Sequence, residues 1–140
     1  MKIRIITIGK TKEKHFRNAA DEYASRLKHY TPFELLAVKD DNQALAKIDP
    51  TDHLMVCDKE GKHHTSEDLA KLIDWHRMQG TKRMVLFIGG PEGVGEEMKT
   101  RANEWLSFSK MTFPHELALV MILEQLYRAH TILKGEPYHK

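Results

Sequence analysis

A single cysteine, Cys57, rules out an internal disulfide and suits a reducing compartment. Long hydrophobic runs are missing too: the longest, Leu117 to Leu123, is far too short to cross a bilayer. No apolar core of signal-peptide length stands before the polar residues Lys10 to Lys14, so a cytoplasmic chain with no membrane partner is expected. Neither sign of charge dominates, with 22 Lys and Arg against 20 Asp and Glu, a net +2. That balance neither demands nor excludes a nucleic-acid partner, because a local patch matters more than the sum. Repeats, low-complexity segments and linkers are absent. His63 and His64 are adjacent, with no carboxylate or cysteine at ligand spacing, so no metal is expected. What remains is 140 residues, 41% hydrophobic and 30% charged. This is the composition of one soluble globular domain, residues 1–140, able to bury its own core.

The most informative stretch is Val85-Leu86-Phe87-Ile88-Gly89-Gly90-Pro91-Glu92-Gly93. Four apolar residues that favour a pleated, buried setting run into a loop of glycines, and the helix formers Glu96 to Lys99 follow. Glycines behind a strand end let a ligand lie against bare backbone. In an open α/β fold the carboxyl end of a strand is the usual place for a small-molecule site. The plainer reading of the same loop is a tight structural turn.

Strands and helices alternate along the chain. Ile3 to Ile8 reads as a first strand, and Thr11 to about Tyr30 as a helix with Phe16, Ala19, Ala20, Tyr23 and Leu27 at helical spacing. Pro32 ends that helix, and Phe33 to Val38 is a second strand. Asp40 to Pro50 allows at most one helical turn, around Ala44 to Ala46, before a short third strand, Leu54 to Cys57, that stops at Asp58. Thr65 with Asp68 forms a capping-box variant opening a helix whose face includes Leu69, Leu72, Ile73 and Trp75, closed by Gly80. Met84 to Ile88 is a fourth strand, followed by a helix to about Asn103. Trp105 to Phe108 is a fifth strand, and Pro114 to Leu133 a last helix with Gly135 beyond it. The pattern is α/β with a mainly parallel sheet.

That last helix is apolar on every side from Leu117 to Leu123. A helix apolar all round is buried all round, yet a single sheet covers only one side. Another segment of the chain or a second subunit is needed over the rest, unless the helix simply lies in a thick core.

Four motifs stand in order: Ile88-Gly89-Gly90-Pro91-Glu92-Gly93, Leu106 through His115 (LSFSKMTFPH), Glu124-Gln125-Leu126-Tyr127-Arg128-Ala129, and Glu136-Pro137-Tyr138-His139. In this order and spacing the chain resembles the ribosomal large-subunit methyltransferase H family of the SPOUT superfamily of knotted methyltransferases. Lys2 to Lys10 and Asp58 to Lys62 extend the resemblance over nearly the whole chain. It implies an S-adenosyl-L-methionine-dependent enzyme that methylates N3 of a pseudouridine in 23S rRNA, free or in the assembled ribosome. It also implies a SPOUT fold with a C-terminal trefoil knot, a rare exception to the rule against threaded connections, and a homodimer as the competent unit.

Position by position, the resemblance implies a cofactor pocket formed by Cys57, Gly90 and the loop Phe108, Ser109, Lys110, Met111, Thr112, Phe113. At Gly90 a side chain would obstruct the nucleoside; backbone groups of the second loop would meet the adenine edge, and Phe108, Met111 and Phe113 would supply apolar walls. Read without the motifs, those three are ordinary core residues and Cys57 is a buried, inert thiol. The chemistry must take a proton from a ring nitrogen, which calls for a base or an oxyanion-stabilising cation. His139 is the candidate base, because an unperturbed imidazole titrates near neutrality. Tyr138 stands beside it, and Arg128, with Glu124 as its i,i+4 partner, could hold phosphate or a carbonyl oxygen. The plainer readings are a solvated His139 and a structural Arg128–Glu124 pair. The role of Glu92 stays open. Two departures stand out: a shortened connection between the second and third strands, and Leu119 where relatives often carry arginine. A SPOUT enzyme acting on another RNA such as tRNA, and a non-catalytic ribosome-associated dimer, are the alternatives.

Overall fold

The apolar run Met84 to Ile88 in β4 (Arg83–Ile88) and the buried Ile3, Ile5 and Ile6 of β1 (Lys2–Ile8) mark strands covered on both faces, and the two lie side by side at the centre of the sheet. The computed structural model describes residues 1–139, of His139 the backbone only. With β2 (Phe33–Val38), β3 (His53–His63) and β5 (Glu104–Ser107) the order is β2-β1-β4-β3-β5, and every pairing is parallel. Alternate residues point to opposite faces. Ile3, Ile5, Met55, Met84, Leu86 and Ile88 pack under α1 (Lys14–Leu27), α3 (Ser66–Met78) and α5 (His115–Lys134). Ile6, Leu54, Val56, Val85 and Phe87 pack on the other face, under α2 (Asp41–Leu45) and α4 (Glu96–Arg101).

Several boundaries differ from the sequence reading, each for a local reason. The first helix opens at Lys14 rather than Thr11, because the Glu116 carboxylate of α5 accepts the backbone N–H groups of Lys12 (2.5 Å) and Glu13 (3.0 Å) and fixes the chain there. α4 stops at Arg101, short of Asn103. The Asn103 amide oxygen instead accepts the Leu54 N–H, and the Asn103 N–H donates to the Leu54 carbonyl, both at 2.8 Å. β5 is displaced by one residue from the expected span.

The largest difference is in β3. It does not end before Asp58 but runs to His63 through a break in register, so that Leu106 of β5 faces both Cys57 and Lys62. Gly61 makes this passage possible. A β-carbon there would lie 2.7 Å from the Trp105 carbonyl carbon and 2.8 Å from the Leu106 backbone, so only a bare backbone can lie so close.

The capping box on α3 forms as expected: Thr65 Oγ1 accepts the Asp68 N–H at 3.0 Å, and the Asp68 carboxylate accepts the Thr65 N–H at 3.2 Å. Trp75, however, is 56% exposed, and His76 takes the buried place on the stripe with Leu69 and Ile73. At helical spacing residue 76 follows 69 and 73, whereas 75 points off the stripe. α5 ends at Gly135, whose φ of 70° is the left-handed C-cap that glycine adopts without strain.

At the amino edge of the sheet Arg83 holds Asp52 through two bonds, Nε to Oδ1 at 2.9 Å and Nη2 to Oδ2 at 2.6 Å. Burial works to raise the Asp52 pKa, but Arg83 and the Asp49 N–H outweigh it and hold the carboxyl below its usual value. The sign follows from linkage: a lowered folded pKa contributes stability that is complete above the unfolded value, about 3.9, and is lost as pH falls toward the folded one. Asp52→Asn is therefore expected to flatten the acid limb of stability below about pH 4, measured as the denaturant midpoint between pH 7 and pH 3. An unchanged acid limb would place the pH dependence on other carboxylates.

Candidate active site

Because all five strands run in parallel, their carboxyl ends open on one side. There a cleft of about 660 Å³ lies between the glycine loop 89–95 and the loop 108–114. Cys57, Asp58 and Lys59 of β3 and Ile88 of β4 line it, and the start of α5 adds His115 and Ala118. The volume falls in the range of small-molecule sites.

The glycine loop is shaped by its own close contacts. The Gly93 N–H donates to the Gly90 carbonyl at 2.9 Å, and Gly93 has a φ of 82°. A β-carbon on Gly89 would sit 2.8 Å from the Gly93 carbonyl oxygen. On Gly90 it would meet Ile8 Cγ2 at 3.2 Å. The missing side chain at Gly90 thus makes room for β1, and what Gly90 presents to the cleft is bare backbone.

Serines fix the second loop: Ser107 Oγ donates to the Ser109 carbonyl at 2.9 Å, and Ser109 Oγ accepts the Met111 N–H at 3.0 Å. Cys57, Gly90, Phe108, Ser109, Met111, Thr112 and Phe113 all line the cleft. Lys110 does not; it is exposed and absent from the cleft wall, between Ser109 and Met111, which line it. Met111 is 75% exposed, an apolar side chain at the rim that a flat ligand would cover. Burial pushes the Cys57 thiol up to about 12, with the Asp58 charge adding to the effect, so it is an uncharged wall rather than a nucleophile.

The proposed catalytic side chains gather elsewhere. Arg128 donates to Glu124 Oε2 from Nη2 at 2.7 Å and from Nε at 3.0 Å. Tyr138, in the single 3-10 turn after α5, donates to the same oxygen at 3.0 Å, and its ring lies 5.1 Å from the Arg128 guanidinium carbon. Tyr138 also meets Tyr127 edge-on at 4.6 Å. Its phenol is raised above the usual range, first by burial and then by Tyr23 and Glu124, while the Glu124 hydrogen bond raises Arg128. Glu124 lines a smaller cavity of about 380 Å³ with Tyr23, Met121 and Gln125. From His115 at the cleft to Arg128 is roughly 20 Å along α5 at 1.5 Å per residue. Within one chain Tyr138 packs back onto Tyr23 of α1 and Tyr127 and Glu124 of α5, away from the cleft. The His139 side chain lies outside the described residues.

Leu119 is buried in the core at 2% exposure, so this position offers no surface contact. One cluster escaped the sequence reading: His53, His76 and Glu104, whose ligand atoms lie within 4.8 Å of one another. No local spacing could have signalled residues so far apart in the chain.

Comparison with known proteins accords with this geometry. The family described as predicted SPOUT methyltransferase matches residues 1–139. The chain belongs to the SPOUT methyltransferase family. Among curated relatives, it is 39% identical to the ribosomal RNA large subunit methyltransferase H of Bacillus pumilus and 42% identical to that of Clostridium botulinum strain Kyoto, each over 159 positions covering all of both chains. Alignments of that length show that these methyltransferases carry residues this 140-residue chain lacks. Among solved structures, a probable methylase family protein from Haemophilus influenzae superposes with a TM-score of 0.65 at 10% identity, over 99% of this chain and 70% of that one. The SpoU methyltransferase AviRb of Streptomyces viridochromogenes, in complex with AdoMet, gives 0.52 at 11% identity, over 96% and 61%. These two establish the shared methyltransferase fold. No helix among the described residues is long and apolar enough to cross a membrane.

Proposed function

We propose that this methyltransferase transfers a methyl group from S-adenosyl-L-methionine to N3 of a pseudouridine in 23S rRNA, acting as a cytoplasmic homodimer on the free RNA or the assembled ribosome. The observation that carries the reading is the glycine-lipped cleft at the carboxyl ends of β4 and β5, in a chain aligned end to end with large-subunit rRNA methyltransferases.

The cleft residues fit the cofactor. Bare backbone at Gly89, Gly90 and Gly93 allows close approach, and Ile88, Phe108, Met111 and Phe113 offer apolar surface for an adenine. Asp58 and Glu92 on the rim complement a sulfonium and an ammonium group. When bound, the cofactor supplies an electrophilic methyl. The protein's part is to hold the target ring and receive the proton leaving N3. His139 is the proposed acceptor, and Arg128, kept charged by Glu124, would steady a developing carbonyl oxyanion.

Because Arg128 and Tyr138 lie far from their own cleft, the reading needs a second subunit to supply them. Half-exposed Leu117 and Met121 share a stripe of α5 with Glu124 and Arg128, at intervals of four, seven and eleven residues, and this stripe is the proposed dimer face. The trefoil knot belongs to the same proposal; both loops that line the cleft would contribute to it.

Mass spectrometry of rRNA from a strain lacking the gene, with and without its restoration, tests the substrate. Loss and return of one methyl on a pseudouridine of 23S rRNA is expected. Unchanged 23S rRNA would turn the assignment to tRNA or to a non-catalytic ribosome-associated role.

A further inference from the structure

We infer that His53, His76 and Glu104 form a zinc site, at the opposite end of the sheet from the cleft. His53 begins β3, Glu104 begins β5, and His76 lies in the last turn of α3, so three separate elements bring metal-ligating groups to one place. Their ligand atoms lie within 4.8 Å of one another, and His53 Nε2 is 3.0 Å from Glu104 Oε2. Ligands on one tetrahedral zinc, bound at about 2.0–2.2 Å, stand roughly 3.3 Å apart, so small side-chain rotations would close the set.

The chemistry of the surroundings suits an ion. The two imidazoles meet at a tilt of 43° with ring centroids 4.0 Å apart. A shared cation uses a lone pair from each ring and the Glu104 charge together. His76 Nδ1 is 2.8 Å from Thr81 Oγ1. With Nδ1–H donated to that hydroxyl, Nε2 is the nitrogen left for a metal, and the outer hydrogen bond fixes the ring's orientation. His76 is buried, with 5% exposure, while the side chains of His53 and Glu104 are 17% and 36% exposed and leave an entry path.

Two nitrogens and one carboxylate select a borderline first-row ion over magnesium or calcium, which prefer oxygen ligands throughout. Three protein ligands leave the fourth position to water. Remote from the cleft, such an ion serves the fold by tying the starts of β3 and β5 to the end of α3.

Chelator-treated full-length protein titrated with Co²⁺ should bind one ion per chain and show the strong visible absorption of a tetrahedral site, which Zn²⁺ then displaces. At a zinc concentration about a hundredfold above its dissociation constant, Tm should rise by roughly 5–10 °C. Glu104→Gln, which keeps shape and hydrogen bonding, should abolish both responses, as should His76→Ala. Thr81→Val should weaken zinc by about 10- to 100-fold through the lost orienting bond. His63→Ala serves as the control and should change nothing. If Co²⁺ gives no tetrahedral spectrum, or if binding survives Glu104→Gln undiminished, the cluster is an ordinary His53–Glu104 ion pair and the assignment fails.

Discussion

Replacing Gly89 by valine is expected to lower S-adenosyl-L-methionine affinity by about 10²-fold or more, with the far-UV spectrum unchanged. The β-carbon would sit 2.8 Å from the Gly93 carbonyl oxygen and 3.1 Å from Val94 Cγ2, so the loop has to open. Misplacing a binding element by about 1 Å is enough for a loss of that order. The damage stays local because the loop projects beyond β4, whose own residues remain packed in the sheet. Gly90→Val should act more mildly, since its β-carbon meets a side chain, Ile8, at 3.2 Å, and not a carbonyl. Calorimetry with the three proteins ranks them directly. Undiminished affinity in Gly89→Val would place the cofactor outside this cleft.

Deletion of Tyr138 to Lys140 is expected to cut methyl transfer by about 10²-fold or more, the scale of a lost acid–base group, while cofactor affinity persists. Among the described residues Tyr138 makes no contribution to the cleft wall of its own chain, so the truncated protein should still bind cofactor. Tyr138 is instead held against Tyr127, Arg128 and Glu124, on the same stripe of α5 that forms the proposed dimer face. His139→Ala alone should reproduce most of the loss, and Tyr138→Phe, which keeps the ring packing, should reproduce little. Mixing tail-deleted subunits with Gly89→Val subunits should restore part of the activity, because one composite site is then whole. Wild-type rates from the truncated enzyme would remove the tail from catalysis and turn attention to Arg128 and Glu92. Rescue that fails in a demonstrated mixed dimer would count against sharing of the site between subunits.

Much of this was written in local pattern. Short apolar runs locate all five strands, and the spacing of Thr65 and Asp68 marks the start of α3. Such signals are local because a strand's burial and a helix's cap each depend on a few adjacent residues. The cleft's two loops were legible for the same reason, since each is one continuous segment placed at the end of a strand.

Tertiary structure decided whatever depends on residues remote in sequence. The passage of β3 beyond Asp58 rests on Gly61 lying against the backbone of Trp105 and Leu106, an approach that no strand propensity encodes. The start of α1 was set by Glu116, about a hundred residues away. The spacing of Glu124 and Arg128 marks an i,i+4 pair, but only the folded chain brings Tyr138 onto that pair and turns Arg128 and Tyr138 away from their own cleft. His53, His76 and Glu104 meet because a parallel sheet brings the first residues of β3 and β5 to the same edge and α3 ends above them. Sequence determines which segments form and what each can bind; through-space contact, set by sheet order and register, decides which of them meet.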